Sequence, residues 1–98
     1  VFELYAAFVR ACLALDEASR AEGFNRVVSA WSILPVAGRA LARDYWLCAA
    51  AWCEMSAPDS VAGDDWHTEW RSFASRRQGQ VPDWMLKVAQ RLSFQWPA

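Results

Sequence analysis

Gly23, Pro35, Pro58, Gly63, Gly79, Pro82 and Pro97 cut this chain into pieces of helical length, and no Asn-Gly or Asp-Gly pair marks a hairpin between them. Punctuation of that kind predicts an all-α fold, a single small bundle of about five helices. Apolar residues make up 55% of the 98 positions, too many for a disordered chain and too few in number for two cores. Residues 1–98 are therefore read as one helical domain. The chain starts at Val1 rather than methionine, so the reading leaves room for a fragment or a truncated N-terminus.

The first helix is expected from about Phe2 to Glu22, apolar around most of its circumference and closed by Gly23 as a left-handed terminator. Asn25 is the expected N-cap of a second, shorter helix to Leu34, which turns Val27, Val28, Trp31 and Leu34 inward. Pro35 disfavours a helical Leu34 and predicts a break before a long helix from about Val36 to Ser56. In that helix Leu41, Tyr45, Cys48, Trp52 and Met55 follow a four-three-four-three spacing and form the expected buried seam. Residues 57–63 read as a loop. A fourth helix, about Asp64 to Gln78, opens with acids and closes with Arg76 and Arg77, as the helix dipole favours, and buries Trp66, Trp70, Phe73 and Ala74. Pro82 suits the first turn of a fifth, about Pro82 to Gln95, with Trp84, Val88, Leu92 and Trp96 facing in.

Ten basic against eleven acidic residues give a net charge of −1, which lacks the global signature of a binder of nucleic acid or anionic membrane. The longest apolar run, Tyr45 to Cys53, covers nine residues, well below the ~20 that span a bilayer, so no membrane partner is expected. Cys12, Cys48 and Cys53 are odd in number and form no framework, which points to reduced thiols and a cytoplasmic protein.

Catalytic and metal chemistry find little support. His67 is the only histidine, with Asp64 as its one local carboxylate partner, and no nucleophile-elbow pattern surrounds any Ser or Cys. The glycines are too dispersed to form a phosphate-cradling loop. Cys48 and Cys53 sit about 140° apart around a helix axis, too divergent for one tetrahedral zinc. No catalytic residue, metal or cofactor is therefore assigned. A ligand or catalytic pocket would have to be built from Tyr45, Cys48 and Trp52 with His67 at its mouth, and it ranks third among the functional readings.

Seven tryptophans carry the functional expectation, because each can bury ~150–250 Å² and so small a core has limited room for them. Trp46 lies off the expected seam and Trp96 lies near Pro97. Exposed Trp and Arg are what binding hot spots are made of, so Arg39, Arg43, Trp46 and Trp96 are the expected protein-binding residues. The leading expectation is a non-enzymatic interaction module that docks on another protein or on a second copy of itself. The runner-up is a nucleic-acid-binding accessory protein. Charge is segregated, a local sum of −5 over residues 54–69 and +4 over 70–98, and Arg71, Arg76, Arg77, Lys87 and Arg91 would form its basic surface.

Overall fold

The computed structural model describes residues 1–56 and 66–97, and within them the chain forms five helices and no strand. They are α1 (Phe2–Leu13), α2 (Glu17–Ser32), α3 (Val36–Ser56), α4 (Trp66–Arg76) and α5 (Asp83–Leu92). The all-α expectation and the five-helix count hold. The expected loop at 57–63 and the first turn at Asp64 lie outside the described residues.

The first break falls earlier than the sequence reading placed it. Ala14 is extended, and Asp16 caps α2 by accepting from the Ser19 backbone N–H at 2.7 Å and the Ser19 hydroxyl at 3.0 Å. Asp16 satisfies an N–H that a helix start leaves orphaned, so this short polar stretch outcompetes continuation of α1. Asn25 consequently lies inside α2 and caps nothing. Gly23, too, is not a terminator. A Cβ there would stand 2.7 Å from Ala11 Cβ, so its missing side chain lets α2 cross α1 at close range.

Arginines close two helix ends. Arg20 donates to the carbonyls of Ala11 and Ala14 at 3.2 and 2.8 Å, at the end of α1. Arg39 donates to those of Trp31 and Ser32 at 3.3 and 3.0 Å, at the end of α2. Each supplies donors where the last turn of a helix has unpaired acceptors and negative dipole charge.

The α1–α2 hairpin is antiparallel, with Phe8 against Phe24 and Arg20 reaching Ala11. On its other side α2 runs antiparallel to α3, Phe24 meeting Trp52 and Trp31 meeting Trp46. From Trp46 to Cys53 every residue of α3 is buried, which makes it the central helix. The centre of its expected seam holds, with Cys48 and Trp52 buried and Tyr45 half-buried, but Leu41 and Met55 at its ends are 72% and 54% exposed, and Ala42, Trp46, Ala49, Ala50 and Cys53 are inside as well. Spacing alone did not distinguish the two stripes. Small Ala side chains let α1 and α2 approach from one side, and the bulky seam is pushed outward at both ends.

Past α3, the later helices end on left-handed residues. Gln78 (φ 55°) and Gly79 (φ 81°) follow α4, and Ser93 (φ 61°) follows α5, each pair of turns closed by a bond back across six residues, Gly79 N–H to Ala74 and Phe94 N–H to Ala89. That turn buries Phe94, so α5 stops at Leu92, short of the expected Gln95.

Candidate protein-interaction surface

The expected exposure of Trp46 is overturned. Its ring is 1% exposed and stacks on Trp31 at 4.2 Å with an interplanar angle of 3°, and Arg39 lies over the other component of that stack, 5.4 Å from the Trp31 ring. Trp46 Nε1 is buried and has no hydrogen-bond partner among the described residues. Trp96 is half-buried: it stacks on Trp70 at 4.6 Å and 4°, and its Nε1 donates to the Met85 carbonyl at 3.1 Å. Arg39 is held against the end of α2, and Arg43 is half-buried beside Glu69. Of the four, Trp46 is inside the bundle, while Arg39, Arg43 and Trp96 are half-buried and each is engaged with a neighbouring element.

Exposed apolar side chains are found at several places, Leu13 and Leu15 at the end of α1 and Ile33 and Val36 around the Pro35 break among them, and one further set gathers where α1, α3 and α5 meet. Phe2 is 90% exposed and Tyr5, one turn on, 46% exposed. Tyr5 meets Tyr45 edge-on at 5.1 Å, and Tyr45 in turn meets Trp84 at 5.4 Å, with Phe8 packed beneath both. Leu41 stands one turn before Tyr45 on the same face of α3. Three helices thus contribute to one band of exposed and half-exposed apolar side chains, Phe2 and Tyr5 from α1, Leu41 and Tyr45 from α3, and Trp84 from α5. Trp84 was expected in the core; α5 buries the expected Leu92 together with Met85 and Ala89 and leaves Trp84 at the rim. Burial pushes the Tyr45 hydroxyl above its ordinary pKa, with the nearby Tyr5, Asp44 and Cys48 adding to the shift. Tyr45 is therefore neutral at physiological pH and adds no charge to the band.

The bases expected to form a nucleic-acid surface are dispersed. Arg71 bonds Thr68 and faces a cleft beneath the C-terminal segment, Arg76 and Arg77 face a different cleft against α3, Lys87 pairs with Asp83, and Arg91 approaches Cys12 on α1. Trp70 and Phe73, the aromatic rings interleaved with them, are buried. His67 is committed to Glu54 at 2.7 Å, which ties the start of α4 to the end of α3. Among the described residues no three His, Cys, Asp or Glu side chains converge on a point, and no helix is long and apolar enough to cross a membrane. The expected Tyr45, Cys48 and Trp52 pocket is filled: Cys48 and Trp52 are buried in packed contacts.

No protein-family model matches the chain, and no curated protein or solved structure matches it at a significant level.

Proposed function

We propose that the protein is a non-enzymatic interaction module whose docking face is the band of Phe2, Tyr5, Leu41, Tyr45 and Trp84, and that a second copy of the chain is the partner it fits. The observation that carries this reading is the run of exposed apolar and aromatic side chains contributed by three separate helices. A monomer gains nothing by leaving Phe2 and Leu41 in water, since each forgoes about 1.5–3 kcal/mol of burial. Tyr and Trp add rigid, partly polar contact area of the type that dominates interface energetics. An apolar dye that brightens on contact with hydrophobic surface tests the face itself. Dye should bind the native chain at dilutions where it is monomeric, and Phe2→Glu with Leu41→Glu should abolish that binding while leaving the helical circular dichroism intact. Unchanged dye binding in the double variant would refute the assignment of the face.

A further inference from the structure

Between α3 and the last turns of α4 lies a cleft of about 450 Å³ lined by Ala40, Arg43, Asp44, Phe73, Arg76 and Arg77. Three guanidinium groups, from α3, the last residue of α4 and the turn after it, share one cavity in a chain whose net charge is −1. Each is held by something other than its terminal nitrogens. Arg77 lies 4.7 Å over the Phe73 ring, and Arg76 donates through Nε to the Ser72 carbonyl at 3.3 Å. Arg43 Nε stands 3.3 Å from Glu69 Oε2, within ion-pair range but outside hydrogen-bond geometry, so this buried N–H has no acceptor among the described residues. The Nη groups of all three arginines have no hydrogen-bond partner among the described residues. Asp44, on the same wall, offsets part of the positive charge, and Glu69 offsets more from behind Arg43. A positive excess remains in the cleft.

Guanidinium groups held by an ion pair, by a bond at Nε or by stacking, with their terminal forks turned to a shared cleft, suit a tetrahedral oxyanion, which they bind through paired N–H donors. We propose that this cleft binds a phosphate group carried on a small molecule, with Arg43, Arg76 and Arg77 as its donors. Asp44 sets the selectivity: its carboxylate repels a ligand bearing further negative charge on that wall, so a single phosphate group fits better than a polyanionic backbone. The site is separate from the apolar band and stands or falls independently of it.

The probe is inorganic phosphate added to the full chain at constant ionic strength, with chloride as the control, read by the amide and Arg Nε–H resonances of residues 40–44 and 73–77. The expected result is saturable shifts confined to these residues with phosphate and not with chloride. Arg77→Gln, whose side chain makes no hydrogen bond among the described residues, should weaken binding by about fivefold with the fold unchanged. Arg43→Gln should weaken it similarly, and Asp44→Asn should tighten it. Linear shifts that chloride reproduces would overturn the proposal. So would binding of a short single-stranded RNA at concentrations where inorganic phosphate causes no saturable change, since that would mark a polyanion surface.

Discussion

Trp46 and Cys48 show how far burial in α3 controls individual side chains. Replacing Trp46 by Ala removes a ring stacked on Trp31 inside the bundle, and substitutions of this kind cost ~3–5 kcal/mol. That is a large share of the ~5–15 kcal/mol that holds a domain of this size together, so Trp46→Ala should melt at least ~10 °C below the parent chain by circular dichroism. Trp46→Phe should be far milder, because it also removes an indole N–H that has no partner among the described residues. Burial pushes the Cys48 thiol well above its ordinary pKa, with small contributions from Cys12 and Asp44, so it stays protonated at neutral pH. Thiol titration should find Cys48 and Cys53 protected in the native chain, and all three cysteines reactive in denaturant. Trp46 is also where reading the sequence failed: a spacing argument saw it off the seam, and only the packing of α2 against α3 shows that its side of the helix is the covered one.

Helix ends were the next most difficult feature to read. The Pro35 break and the start of α3 at Val36 followed from the sequence because a proline acts on its own neighbour, with no help from the rest of the chain. Gly23 was misassigned because a glycine needed for left-handed backbone and a glycine needed for close helix approach look alike until Ala11 is seen beside it. The Asp16–Ser19 pair was the available signal for the true break. Its cap makes a pH prediction. Hydrogen bonds from the Ser19 backbone and hydroxyl hold the Asp16 carboxyl below its ordinary pKa, so its contribution is present above the unfolded-state value and is lost as acid protonates it. Asp16→Ala should therefore lower Tm at neutral pH and make the decline in Tm below about pH 4 shallower than in the parent chain. At the end of α5, Ser93 occupies left-handed backbone that a glycine adopts without strain, so Ser93→Gly should stabilise the fold by about 1 kcal/mol in urea denaturation.

Fold class was accessible from the sequence because helix-length spacing between breakers and the lack of hairpin turns are local properties. The docking face was not, because Phe2, Tyr5, Leu41, Tyr45 and Trp84 come from three helices and become neighbours only when α1, α3 and α5 pack. The excess of large aromatics pointed to an interface but named Trp46, which is buried, and Trp96, which is only partly covered. A small domain encloses little volume, so what the core cannot hold appears at its helix junctions rather than on one helix. Sedimentation equilibrium of the full chain across the micromolar range tests the central claim most directly. The account predicts a weight-average mass that rises from monomer toward dimer with concentration, and a Phe2→Glu, Leu41→Glu variant that stays monomeric with its helices intact. A native chain that remains monomeric throughout, indistinguishable from that variant, would contradict it.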